Sequence, residues 1–152
     1  MLEVRIKING IKDVAGGLGH FIDRAPLAAQ RGLKRIIRGL HREAYDFLSG
    51  AAGKPGSYPI PVVTGHLRRN LDWLEPGEKK TAGGATFAAG ELEAMLFDSA
   101  IYASVVYDGT GSSSGHGPRQ FTDDALEAFD AGGRIEAIMT AEFKDESKRI
   151  GK

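Results

Sequence analysis

Residues Gly111 to Gly115 read Gly-Ser-Ser-Ser-Gly, which fits the G-x-S-x-G pattern of a hydrolase nucleophile elbow. His116 and Asp123 follow closely, so Ser113, His116 and Asp123 supply the three residue types of an acyl-transfer triad: nucleophile, base and orienting carboxylate. An elbow needs a sharp strand-to-helix turn, with the helix beginning directly after the nucleophile. Here the chain continues Gly115-His116-Gly117-Pro118, which cannot open that helix, and 152 residues are short for an α/β-hydrolase core. The segment is therefore expected to be a flexible loop, with a small serine hydrolase as a remote alternative. Gly109, Gly111 and Gly115 are spaced GxGxxxG, and no βαβ unit follows to make them a phosphate cradle. Gly53-Lys54 is followed by Pro55 where a Walker loop has Ser or Thr.

Metal and thiol chemistry are no better supported. His20, His41, His66 and His116 form no pair at i, i+3 or i+4, and there is no cysteine. That excludes a disulfide framework, a thiolate zinc site and a Cys nucleophile. Glu91, Glu93 and Asp98 flank an expected hairpin and read as solvated edge charges. No catalytic, cofactor-binding or metal-ligating residue is assigned, and no enzyme is expected. Tyr58, Trp73, Tyr102 and Tyr107 are the aromatic candidates for interface anchors.

The elements that must position these residues are legible in outline. Val4, Ile6 and Ile8 alternate with Arg5, Lys7 and Asn9, as in a half-buried strand, and Asn9-Gly10 marks a turn. Pro26 stands near the expected start of the longest helix, where its missing N–H costs little. Leu33, Ile36, Ile37, Leu40, Ala44, Phe47 and Leu48 stripe that helix, with Arg31, Lys34, Arg35, Arg38 and Arg42 on its other faces. Such a basic face is expected to be solvated or ion-paired. The Gly/Pro-rich stretch 50–61 cannot be regular structure. Thr64 is the expected cap of a short helix holding Leu67, Arg68 and Leu71. Segments 85–89 and 92–98 read as strands of one hairpin, and 101–107 as a strand or short helix. Thr122 is the expected cap of a helix with Ala125, Leu126 and Phe129. Gly132-Gly133 interrupts it, and Ile135, Ile138, Met139 and Phe143 stripe the last helix. The expected architecture is α+β: a long N-terminal helix packed on a small antiparallel sheet, with short additional helices. The chain reads as a single domain over 1–152, with flexible loops near 49–63 and 109–118.

Composition sets the outer bounds. A domain of this length buries about 68–70% of its unfolded surface. Twenty Lys+Arg balance twenty Asp+Glu, against the basic excess of a dedicated nucleic-acid binder. The opening MLEVRIKING lacks the apolar core of a signal peptide, and no stretch reaches the ~18 apolar residues of a membrane span. Synthesis in the cytosol, with no membrane partner, is the expectation. Twenty-one glycines, clustered between elements, point to long connections.

Three motifs, in order, resemble the head–tail joining (neck, tail-completion or minor tail) family of long-tailed phages and prophages. Pro61-Val62-Val63-Thr64-Gly65-His66-Leu67-Arg68-Arg69-Asn70-Leu71 is similar to the family's Pro-x-Asp-Thr-Gly-x-Leu-Arg-x-Ser element. Tyr102-Ala103-Ser104-Val105-Val106-Tyr107-Asp108-Gly109-Thr110 resembles Tyr-Ala-x-x-Val-Glu-aromatic-Gly-Thr. Pro118-Arg119-Gln120-Phe121, followed by Ala125-Leu126, is similar to Arg-Pro-Phe before a helix. Val63 replaces an acidic residue, Tyr107-Asp108 reverses the family's order, and Gln120 stands where proline is common.

The resemblance implies a structural virion protein in the ring between the capsid portal and adaptor complex and the tail. The partners it implies are further copies of the chain, the portal or adaptor, and tail-tube or tail-terminator proteins, with DNA passing non-specifically. It implies assembly in the bacterial cytoplasm and residence at the head–tail interface or tail; a tail terminator or other minor tail subunit is the alternative. No cofactor is implied. Arg68, Arg69, Tyr102, Tyr107, Asp108, Gly109, Thr110, Arg119 and Phe121 are the expected interface residues, by aromatic and arginine content. A neck protein binding DNA through its basic helix is a further alternative.

Overall fold

The computed structural model describes residues 2–8, 19–49, 65–101, 103–108 and 120–150. The expected flexible stretches, 49–63 and 109–118, fall almost wholly outside those residues.

Strand β1 (Leu2–Lys7) follows its alternation: Leu2, Val4 and Ile6 are half-buried, while Glu3, Arg5 and Lys7 are exposed. Helix α1 runs Gly19–Leu48, so Pro26 lies inside it rather than near its start. The proline leaves the Ile22 carbonyl without its helical donor. Burial of Ala25, Ala28 and Ala29 carries the apolar stripe past that defect. The whole expected stripe, Leu33 to Leu48, is buried. Helix α2 (His66–Asn70) begins after Gly65, whose φ of 64° is left-handed. Its expected cap, Thr64, lies outside the described residues. Leu71 is not helical: its extended backbone opens β2 (Leu71–Leu74).

The expected 85–98 hairpin does not form. Strand β4 (Ala85–Ala88) pairs back onto β3 (Lys79–Ala82), and β5 (Glu93–Asp98) pairs with β1 and β2. The turn chemistry explains the first pairing, because Gly83 and Gly84 adopt φ of 57° and 79°, as a tight two-residue hairpin turn requires. Burial explains the second. Ala94, Met95, Leu96 and Phe97 are all buried, so β5 needs cover on both faces and suits the centre of a sheet. Helix α3 spans Ala103–Asp108 and resolves the strand-or-helix ambiguity there. Helix α4 (Phe121–Asp130) starts after Gln120 and lacks a side-chain cap bond. Thr122, the expected cap, instead lies buried in the first turn. Gly132 and Gly133, at φ of 77° and 74°, end that run before α5 (Arg134–Ile150).

The sheet order is β1-β5-β2, with both pairings antiparallel. Its register aligns Val4, Leu96 and Trp73 in one row, next to a row of Glu3, Phe97 and Asp72. The face holding Leu96 and Ala94 packs on α1. The opposite face holds Met95, Phe97 and Leu74, and the β3–β4 hairpin covers it through Phe87. Phe87 and Phe97 stack with centroids 4.0 Å apart. On its far side α1 receives α4 and α5. Arg31 and Arg35 reach Glu142 at 3.1 and 2.8 Å, Arg31 also bonds buried Glu146, and Lys34 and Arg38 both bond Glu75. At these four positions the basic face is ion-paired, as expected.

Gly39 lets α4 approach closely: a Cβ there would overlap the ring of Phe129, itself buried. Ala is ordinarily favoured over Gly in a helix by ~1 kcal/mol, but overpacking a confined ring costs about 1–3 kcal/mol. The second effect wins here because Phe129 has nowhere to move. Gly39→Ala should therefore lower unfolding stability by about 1–2 kcal/mol in urea titration; a stabilised variant would show that the helices part freely.

Candidate functional site

The fold brings side chains with recognition chemistry together at two places and seals a carboxylate at a third. The first lies where α1 ends, α2 begins and β2 forms the sheet edge. The Arg68 guanidinium sits 5.4 Å above the Tyr45 ring and donates a long bond (3.5 Å) to Ser49 Oγ. His41 lies one helical turn from Tyr45, with ring centroids 6.3 Å apart, and its other side packs on Trp73 at 4.4 Å. His41 Nε2 lies 3.4 Å from the Leu71 carbonyl oxygen. Burial lowers the pKa of this imidazole, so the ring is a neutral spacer at neutral pH. Tyr45 remains exposed. An aromatic and arginine cluster of this kind suits protein recognition.

Tyr107 marks the second place. On α3, its hydroxyl donates to Asp123 in the first turn of α4, and its ring meets Phe121 edge-on at 6.4 Å. Phe121 is fully buried. It anchors the restarted chain in the core, with no surface of its own in the single chain. Asp123, the carboxylate of the apparent triad, is thus engaged by a phenol. Ser113 and His116 lie outside the described residues.

Of the other expected interface residues, Arg68 is half-buried and Arg69 exposed on α2. Tyr102, Gly109, Thr110 and Arg119 lie outside the described residues, as does the side chain of Asp108. So does Tyr58. Trp73 is half-buried in the cluster. The sequence reading missed Tyr45 and His41; their i, i+4 spacing on one side of α1 was the available signal.

Asp98 is the third feature. It ends the central strand, so it is buried, contrary to the expected solvated edge charge. Oδ1 accepts the Ala100 N–H at 2.8 Å, while Oδ2 has no partner among the described residues. Glu93 is tied instead to the Gly90 N–H and to Arg5, and these contacts hold its carboxyl below the usual range. A shallow open groove of ≈ 440 Å³ runs between Asp72, Trp73 and Lys80. Its Asp72 and Lys80 neutralise each other. Among the described residues no group of three or more His, Cys, Asp or Glu could hold a metal ion, and no helix is long and apolar enough to cross a membrane.

No family model, curated protein or solved structure matches this chain.

Burial pushes the Asp98 carboxyl up from 3.8 to about 6. With the folded value above the unfolded one, the stabilising protonation is complete below the ordinary value and is lost as pH rises through about 6. The charged form then costs ~2–3 kcal/mol at neutral pH. Asp98→Asn should melt higher than the native chain at pH 8, with the gain vanishing towards pH 4. A pH-independent difference in melting temperature would contradict this.

Proposed function

We propose that the protein is a non-enzymatic virion subunit of a tailed phage or prophage, part of the neck ring that joins the portal and adaptor to the tail. The observation that carries this reading is the joint of Tyr107 with Phe121 and Asp123. It brings together two of the three motifs behind the resemblance, across the glycine-rich stretch that separates them. Leu67 of the remaining motif lies in the same apolar core as Phe121 and Ala125. Both flanks of the 109–119 stretch are thereby pinned to one scaffold, as a docking segment requires.

The chemistry beside it favours recognition over catalysis. Asp123 is occupied by Tyr107, and Asp98 is sealed in the sheet. Four of the α1 bases that would draw DNA, Arg31, Lys34, Arg35 and Arg38, are ion-paired with Glu75, Glu142 and Glu146. That argues against the DNA-binding alternative and suits a lumen through which a polyanion passes without being held. Head-to-tail contacts between identical subunits generate such a ring when the rotation closes. The 102–126 region and the α2 arginines are the proposed contact surfaces. A tail terminator or other minor tail subunit is the neighbouring alternative, separable by whether the ring seats on portal complexes or on tail tubes.

Native mass measurement and negative-stain imaging with purified portal complexes test the reading. The native chain should form closed rings there, and Arg119→Ala and Tyr107→Ala should each reduce ring yield roughly tenfold. Tyr107→Phe keeps the edge-on packing on Phe121 and controls for folding. Full ring assembly by both alanine variants would sink the placement, and failure of the native chain to seat on portals or tails would sink the function.

A further inference from the structure

The two edges of the three-stranded sheet are chemically unlike. Ile8 N–H donates to the Leu92 carbonyl, so the even-numbered residues of β1 face β5. The N–H and C=O groups of Glu3, Arg5 and Lys7 therefore point away from the sheet. None of these backbone groups has a partner among the described residues.

On β2 the same alternation turns Leu71 and Trp73 outward, but there the N–H groups are taken. Leu71 N–H donates to the Leu67 carbonyl and Trp73 N–H to its neighbour's Asp72 Oδ1 at 2.9 Å. Just beyond, Glu75 N–H donates to Glu78 Oε2 at 2.8 Å. The β2 edge is closed by its own chain, and among the described residues β1 is the open edge.

Helix α1 lies over β5 and β2, so the apolar row Leu2, Val4 and Ile6 stays only half-covered. An open ladder beside an incompletely buried apolar row fits an added strand. The charges choose which strand. Within one chain Arg5 already reaches Glu3 at 3.1 Å and Glu93 at 3.3 Å. Because Glu3 and Arg5 flank Val4 symmetrically, an antiparallel copy of β1 centred on Val4 sets Glu3 opposite Arg5 and Arg5 opposite Glu3, joining the two intrachain pairs into one alternating network. The same register sets Leu2 opposite Ile6 and Val4 opposite Val4. Acid meets base on one face and apolar meets apolar on the other. Shifting the centre to Arg5 would set Glu3 opposite Lys7 but oppose arginine to arginine at the centre, the one like-charge pair that the Val4 register avoids.

We propose that the β1 edge binds the β1 edge of a second copy of this chain, in antiparallel register about Val4, making a continuous sheet of order β2-β5-β1-β1-β5-β2. Each Glu3–Arg5 pair exchanges both backbone hydrogen bonds. The two α1 helices lie on one side of the joint sheet and the two hairpins on the other. Such a two-fold pair closes on itself and is the form of the free protein. It does not rest on the neck reading, because α2 with Arg68 and Arg69 leads into β2, the opposite edge. Either can fail alone.

The test combines sedimentation equilibrium with amide hydrogen exchange on the native chain, Glu3→Arg, Arg5→Glu, and the double swap Glu3→Arg/Arg5→Glu. The native chain should be dimeric, with slow exchange at the Glu3 and Arg5 amides. Each single swap opposes like charges twice and should weaken dimerisation about tenfold or more. The double swap, made together with Glu93→Gln because Arg5 also bonds Glu93, recreates the complementary pairs across the edge and should restore dimerisation to that of Glu93→Gln alone, and circular dichroism of each variant guards against unfolding. A monomeric native chain overturns the inference. So does any oligomer whose Glu3 and Arg5 amides exchange freely, and so does a dimer that withstands both single swaps or is not rescued by the double one.

Discussion

The structure depends on one constraint: the apolar stripe of α1 is wide enough that it must be covered from two sides at once. Leu33, Ile37 and Leu40 are fully buried, and no single partner layer could achieve that. Each such side chain contributes about 1.5–3 kcal/mol when withdrawn from water, so the stripe dominates the fold's favourable free energy. The sheet covers one side, and α4 with α5 covers the other. Glycines at positions 32 and 39 let Met139 and Phe129 come close. The third layer, the β3–β4 hairpin, exists because β5 has a second apolar face that α1 cannot reach.

Charge then does local work within this arrangement. The chain is formally neutral, and four bases of its basic helix face pair internally with Glu75, Glu142 and Glu146. Arg24 and Arg149 also approach Glu146, at 3.6 and 3.7 Å. These contacts depress the Glu142 and Glu146 carboxyls below their usual range, through Arg35 and Arg31 respectively. The other charged and aromatic surfaces among the described residues are mixed in character: an aromatic–arginine cluster at the β2 side and an alternating acid–base edge at β1. Mixed surfaces of this kind give register and selectivity more than raw affinity.

Much of this was readable in the residues themselves. The period of α1, the alternation of β1, the Gly132-Gly133 break and the α+β class follow from local pattern, which the backbone obeys wherever burial agrees with it. The ion-paired basic face was readable as a type, although its carboxylate partners were not. Strand pairing was another matter. The segments 85–88 and 93–98 were legible as strands, but which strand each would join depended on the left-handed Gly83-Gly84 turn and on the double burial of β5.

Among the site residues the division is similar. Residue type alone singled out Tyr107, Arg68 and Trp73 as recognition chemistry, and discounted Ser113 as a nucleophile because no helix can follow it. Only tertiary structure could turn Phe121 inward, join Tyr107 to Asp123, bury Asp98, and set His41 between Tyr45 and Trp73. Local sequence determines how each segment prefers to coil and which face is apolar, because those preferences act over a few residues. The partner of each face, the burial of each charge and the open edge of the sheet are decided by contacts between distant segments, whose free energy exists only once the layers close on α1.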